Sequence, residues 1–254
     1  MYFDTHAHYD DDRFQADREE VLADLKNAGV TLAMDIGCDM TTSLKAVQIA
    51  ESHPFVYAAV GTHPHEAQHM KPGDLELYRA LCQRPKVRAI GEIGLDYYYD
   101  NSPRETQRAW FEKQMQLAKE VGKPVVIHSR DACEDTMQIV RKYAREVPGV
   151  FHCFSYSLET AKELVKLGWY LSFTGAITFK NARKALQVVE WAPLSRIFIE
   201  TDSPYLTPEP HRGTRNDSRF VPLVAEKIAQ VKGLSVEEVA KATMENGKKF
   251  FGIE

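Results

Sequence analysis

The 254-residue chain is predicted to fold as one α/β domain over residues 1–254, a single (β/α)8 barrel of the TIM type. Two observations carry that expectation. Eight short runs rich in β-branched and aromatic residues alternate with longer segments of helical period, and no composition shift, low-complexity tract or linker divides them. Such alternation implies a parallel sheet, and eight strand–helix units in this length fit a closed barrel better than an open doubly wound sheet. The open sheet stays the alternative, because periodicity sets strand direction and not closure.

The elements follow in order. "MYFDT" opens as the first strand. A helix begins near Asp17, which offers an N-cap with Glu20 three residues on; Val21, Leu22, Leu25 and Ala28 form its apolar face and Gly29 stops it. "VTLAMDIG" is the second strand, followed by a helix over 41–52, the strand "FVYAAVG", a helix over 73–83 and the strand "VRAIGEIG". A longer helix spans 104–121, with Phe111, Met115, Ala118 and Val121 aligned, and ends at Gly122 before Pro124. Then come "PVVIH", a helix over 132–145, "GVFHCF", a helix from Ser157 to Leu167, "WYLSF", a helix over 181–191 and "RIFIET". A proline-rich loop, 203–218, leads to two final helices, the second opened by Ser235 and Glu238 as a capping box.

Composition narrows the function classes. At 44% hydrophobic and 27% charged the chain is an ordinary soluble globular protein with material for a substantial core. A net charge of −4 leaves no broad basic surface to attract polyanions, so any nucleic-acid contact is local. The chain enters a strand without a charged leader, and no apolar run approaches the roughly 18 residues of a membrane span, which together predict a cytoplasmic protein. No membrane association and no obligate protein partner is signalled. Cys38, Cys82, Cys133 and Cys153 form no CxxC pair and read as buried free thiols, Cys153 being of interest because it follows His152.

In a parallel barrel the chemistry sits where strands end. The first strand ends in His6 and His8, the third in His63 and His65, the fourth in Glu92, the fifth in His128, the sixth in His152 and the eighth in Asp202. His6 and His8 are two apart on a strand and project to the same side. Glu92, in "AIGEIGLD", is a glycine-flanked carboxylate at the end of an apolar strand, where a cation would offset its desolvation. Alone, any one of these histidines is more often a hydrogen-bonded packing residue than a ligand. Four imidazoles and two carboxylates from five strand ends form the ligand set of Zn2+, Mn2+ or a similar ion, and six ligands suit two ions sharing a carboxylate.

Other residues offer supporting roles. His63 and His65, in "GTHPH", could orient substrate or shuttle a proton, or simply belong to a polar loop turned by Pro64. Arg130 and Arg212 could each grip a phosphate, although a solvated loop charge is the commoner fate of an arginine. "DYYYD", residues 96–100, reads either as a stacking surface for bases or as a packed turn over the barrel mouth. His53 and His69 read as surface residues.

The motifs "DTHAH", "GTHPH", "AIGEIGLDYYYD", "PVVIHSRDA", "FHCFS", "TDSPYLTP" and "HRGTRN" resemble, in order and over nearly the whole chain, those of the TatD family of metal-dependent hydrolases and DNases, related to the amidohydrolase barrels. The resemblance implies one metal on His6, His8, Glu92 and Asp202, and a second on Glu92, His128 and His152. Two departures stand out. Tyr156 occupies a position where the family commonly has glycine, so a phenol would line that side of the mouth as a substrate contact. Asn216, Asp217 and Ser218 replace an N-E-P sequence, in a loop expected to surround whatever enters.

These residues imply a hydrolase with two divalent ions, Mg2+, Mn2+ or Zn2+, in which Asp202 and Glu92 are catalytic, Asp202 as general base, and His63 positions the phosphate or assists the leaving oxygen. The substrate the resemblance implies is a phosphodiester at the end of single-stranded DNA or RNA. Two rival readings remain: an ester or amide hydrolase, such as one removing a D-amino acid from tRNA, and a non-catalytic scaffold with a closed coordination shell.

Overall fold

The structure, a computed structural model, describes residues 1–254. The chain runs β1 (Tyr2–Ala7), α1 (Arg18–Asp24), β2 (Val30–Ile36), α2 (Met40–Ser52), β3 (Val56–Val60), α3 (Pro72–Leu81), β4 (Val87–Asp96) and α4 (Arg104–Val121). It continues through β5 (Val125–Arg130), α5 (Cys133–Tyr143), β6 (Gly149–Phe151), α6 (Leu158–Lys166), β7 (Tyr170–Phe173), α7 (Arg183–Trp191), β8 (Ile197–Ile199), α8 (Val221–Lys232) and α9 (Val236–Phe251). The eight strands form one sheet in chain order. A parallel bridge from Ala7 to Ser203, with Asp202 N donating to His6 O at 2.9 Å, carries the end of β1 onto the chain leaving β8. The fold is a (β/α)8 barrel.

The chain divides into two compact units, residues 1–34 with 152–254, and residues 35–151. In the first, β1 and β8 pack against α9 through an aromatic cluster. Phe198 lies 4.6 Å from Tyr170, 5.3 Å from Phe250 and 6.1 Å from Phe251, which also meets Phe3 at 5.8 Å. α9 approaches β1 so closely that a Cβ on Gly247 would come within 2.6 Å of the Phe3 ring. In the second unit, β4 and β5 pair in parallel with Gly94 opposite His128 and Asp96 opposite Arg130. Gly94, at φ +144°, is required there, since a Cβ would strike the His128 carbonyl oxygen at 1.9 Å.

Most element boundaries fall where the sequence puts them. α4 spans 104–121 and is closed by Gly122 in the left-handed region, and the Ser235–Glu238 capping box opens α9. Three expectations are corrected. Asp17 precedes α1 but makes no capping hydrogen bond, because its carboxylate is bound by Arg215 at 2.6 and 2.8 Å. The helix it was expected to open narrows to a 3-10 turn over Leu25–Ala28 before Gly29. The strand expected through "GVFHCF" ends at Phe151, because Cys153 turns to φ +44° and gives its N–H to Glu200 Oε1 at 2.6 Å. No helix is long and apolar enough to cross a membrane.

Candidate metal centre

In the first unit the Nε2 atoms of His6 and His8 stand 3.2 Å apart, and Asp202 Oδ1 lies 3.7 and 3.5 Å from them. Parallel-strand geometry produces this triangle: His6 and His8 share a side, and the backbone bonds His8 N to Ser203 O and Asp202 N to His6 O fix the carboxylate beside them. Asp202 sits at φ +58°, a left-handed conformation that aspartate tolerates better than most side chains. The point equidistant from the three ligand atoms is about 2 Å from each, the length of a zinc bond to imidazole nitrogen or carboxylate oxygen. The donor set and its spacing therefore fit a divalent ion. Burial pushes the Asp202 carboxyl upward, but His8, His152 and His6 outweigh it and hold it below its ordinary value.

His152 joins this group by stacking on His6, ring centroids 4.0 Å apart and 17° from parallel; its ligand atom lies within 4.8 Å of those of His6 and Asp202. The resemblance assigns His152 to the second metal. Beneath it is Glu200, buried, which accepts from Ser172 Oγ and Cys153 N at 2.6 Å each and lies 3.4 Å from His152 Nδ1. A carboxylate behind a histidine in this way fixes ring orientation and raises ligand basicity. Cys153 itself is a thiol that burial pushes up to about 12, so it stays protonated.

The second unit builds a different group. His63, Glu92 and His128 offer ligand atoms within 4.8 Å of one another. The strand register explains the contacts: His128 faces Gly94, with Glu92 and Asp96 two residues to either side on the same face of β4. Its Nδ1 meets Glu92 Oε1 at 2.9 Å and its Nε2 meets Asp96 Oδ2 at 3.0 Å. His65 Nε2 meets the same Asp96 oxygen at 3.0 Å, and Asp96 Oδ1 accepts the backbone N–H groups of Tyr98 and Tyr99. Burial works against the Asp96 carboxylate, yet these donors hold it well below the usual range. His63 Nδ1 accepts from His65 N at 3.1 Å, so the neutral ring carries its proton on Nε2, 3.8 Å from Glu92 Oε1. Burial, with His128 beside it, pushes His63 well below its ordinary value and keeps it neutral.

The remaining candidates lie around these groups. Arg130 ends β5 with its guanidinium over the rings of Tyr98 and Tyr99, 3.9 and 4.8 Å from their centroids. Arg212 is exposed and stacks on Phe179 at 4.2 Å; no hydrogen bond or ion pair draws it to the histidines. Tyr156 is half-buried, edge-on to Phe154.

Asn216, Asp217 and Ser218 depart from expectation, since all three are buried. Asn216 Nδ2 donates to the carbonyls of Thr201 and Tyr205. Asp217 pairs with Arg219 at 2.8 Å. Ser218 Oγ donates to Asp4 Oδ2 at 2.5 Å and accepts from Tyr9 Oη at 2.6 Å. Their polar side chains are turned inward by backbone and carboxylate partners, so they support the strand end that carries Asp202 instead of surrounding a substrate.

Three functional residues escaped the sequence reading. Asp96 opens the tyrosine turn in the sequence, although its spacing of four from Glu92 on a strand marks a shared face. Asp4 and Glu200 are single acids within apolar strand runs, a pattern that itself signals buried partners. Asp4 accepts from Ser218, Thr201 Oγ1, Thr201 N and His6 N, and burial still pushes it up to about 7.

The family model described as TatD related DNase matches residues 3–252. A Bacillus subtilis protein named as an uncharacterized metal-dependent hydrolase, YabD, is 45% identical, with all of both chains covered. An Escherichia coli K12 protein of the same description, YcfH, is 37% identical over 99% of this chain and 96% of its own. The crystal structure of YjjV, a TatD homologue from Escherichia coli, superposes with a TM-score of 0.93 at 29% identity, covering 100% of this chain and 98% of that one.

Proposed function

The chain belongs to the TatD family and is a metal-dependent hydrolase, and from that premise we propose that it cleaves phosphodiester bonds at the end of single-stranded DNA or RNA, using two divalent ions. The single observation that carries the reading is the triangle of His6 Nε2, His8 Nε2 and Asp202 Oδ1, whose common centre is one bond length of about 2 Å from each donor. In this reading His6, His8, Asp202 and Glu92 hold one ion, and Glu92, His128 and His152 hold the other, the ions being Mg2+, Mn2+ or Zn2+.

When bound, such ions lower the pKa of coordinated water and neutralise charge on phosphoryl oxygens. The chain's own groups do the rest. Asp202, held ionised by its histidines, accepts the proton of the attacking water through its carboxylate. His63, neutral with its proton on Nε2, donates a hydrogen bond to the phosphate or the leaving oxygen. Asp96 keeps His65 and His128 in position. With a net charge of −4, substrate is gripped locally, and affinity falls shallowly with salt compared with a protein that neutralises many phosphates.

The test is to strip the metal, restore Mg2+ or Mn2+, and follow end-labelled single-stranded DNA beside the Glu92→Gln, Asp202→Asn double variant. Metal-dependent laddering from one end, absent in the variant, supports the nuclease. Native protein that binds two ions but leaves DNA and RNA intact sinks the phosphodiester reading and turns attention to esters and amides of charged tRNA.

A further inference from the structure

The turn after β4 carries two large aromatic rings that the hydrolytic chemistry does not use. Tyr98 and Tyr99 are 57% and 55% exposed, an unusual state for two adjacent aromatic side chains. They stand edge to face, centroids 4.9 Å apart. Arg130 lies over both rings, and no carboxylate pairs with it, although acids pair with Arg104 and Arg108 on the helix that follows the turn. A guanidinium held against aromatic rings with no carboxylate beside it, on an exposed residue, keeps its charge available for an anion.

The turn is also stiffly supported. Tyr97 N donates to Arg130 O at 2.9 Å, and Tyr98 N and Tyr99 N donate to Asp96 Oδ1 at 3.0 and 2.8 Å. The other Asp96 oxygen receives His65 and His128. Tyr99 touches His65 edge-on, with centroids 5.3 Å apart. One buried carboxylate thus anchors both the backbone of the tyrosine turn and a candidate metal ligand, placing the rings beside the histidines.

We propose that Tyr98, Tyr99 and Arg130 form a nucleotide-binding platform, the exposed rings stacking a base and Arg130 taking the phosphate attached to it. The proposal rests on the nuclease reading above and names a subsite for its substrate. Flat apolar faces beside an unpaired guanidinium match the two halves of a nucleotide, and stacking of this kind tolerates any base.

The experiment measures fluorescence anisotropy of a labelled ten-residue oligodeoxythymidylate and of an abasic strand of equal length, with metal-stripped protein. Wild type is expected to prefer the strand with bases. Tyr98→Ala with Tyr99→Ala should weaken binding of that strand by about five- to a hundredfold and abolish the preference, whereas Tyr98→Phe with Tyr99→Phe should keep both. Arg130→Met should weaken both strands alike. Retained base preference in the double alanine variant overturns the platform while the nuclease reading stands. A wild type that binds without distinguishing the strands does the same. A wild type that binds neither strand when stripped, and cuts neither once Mg2+ or Mn2+ is restored, removes the nuclease reading and the platform with it; one that still cuts with metal restored overturns the platform alone.

Discussion

The two units each gather histidines about buried acids, yet they do so with opposite economy of partners. In residues 1–34 and 152–254, His6 and His8 bring their Nε2 atoms within 3.2 Å of each other beside Asp202, and His152, stacked on His6, has Glu200 behind it. In residues 35–151, His65 and His128 are tied to two carboxylates, Glu92 and Asp96, by hydrogen bonds of 2.9–3.0 Å. The first group sets two ring nitrogens and a carboxylate oxygen at the spacing of a divalent ion's ligands. In the second, hydrogen bonds already join the histidines to the carboxylates, so an ion bound at Glu92 and His128 would displace a proton from them. The supporting aspartates follow suit: burial pushes Asp4 up to about 7, while the histidines around Asp96 hold it well below its ordinary value.

The strongest test of that difference is Asp202→Asn. It is expected to reduce metal-dependent hydrolysis by about 10²–10⁴-fold, the range of a lost general base, and to lower bound metal from two equivalents to one by elemental analysis. Full activity with two ions bound would remove Asp202 from both roles and erase the contrast between the groups.

Next in size is a pH effect. A buried acid whose folded pKa is raised stabilises the fold fully below its unfolded value near 3.8, and that contribution disappears as pH rises through about 7. Metal-stripped protein should therefore lose on the order of 2–3 kcal/mol between pH 5 and pH 7 from Asp4, read by urea unfolding. Asp4→Asn, which cannot ionise, should flatten that slope. Asp96 works in the other direction: with its folded pKa depressed, its contribution is present above the unfolded value and is lost only in acid. A slope unchanged by Asp4→Asn would show that Asp4 is ionised throughout, like Asp96.

Asp96→Asn tests the second group. Loss of an outer carboxylate behind metal-site histidines typically costs about 10–100-fold in activity or metal affinity, and that is the expected range here. Asn keeps an acceptor for the Tyr98 and Tyr99 amides but loses the charge that His65 and His128 stabilise, so the melting temperature should also fall at neutral pH and less in acid. An unaltered rate would mean that Glu92 alone orients His128.

What the sequence makes legible divides along the same lines. Residues at strand ends are readable because period-two alternation and apolar runs fix where a strand points, as for His6 and His128; Asp202 lies three residues past β8 at φ +58°, and its place beside His6 comes from the backbone bond to His6 O. α4 is readable because Gly122 and Pro124 terminate it by local chemistry. Asp17 was not, since a cap and a partner for Arg215 look alike in one dimension and only long-range folding chooses between them. The end of β6 was obscure for the same reason: Glu200, 47 residues away from Cys153, captures its N–H. The outer carboxylates are the least legible, because each acts through a register or a loop that brings distant residues together.

Ser218 is the smallest and most discriminating case. It donates to Asp4 and accepts from Tyr9, and its backbone N–H also reaches Tyr9 Oη at 3.2 Å. Ser218→Ala removes one of the four donors to Asp4 and leaves the Tyr9 hydroxyl short of an acceptor, costing about 1–2 kcal/mol of stability. Because the lost bond favours the ionised carboxylate, the variant should raise the Asp4 pKa further, so its cost should grow from pH 5 to pH 8. A cost independent of pH would place the energetic role of Ser218 in its bond to Tyr9 and not in its bond to Asp4. In either case the residue acts from beneath the strand end, and turnover measured with metal bound should change less than stability.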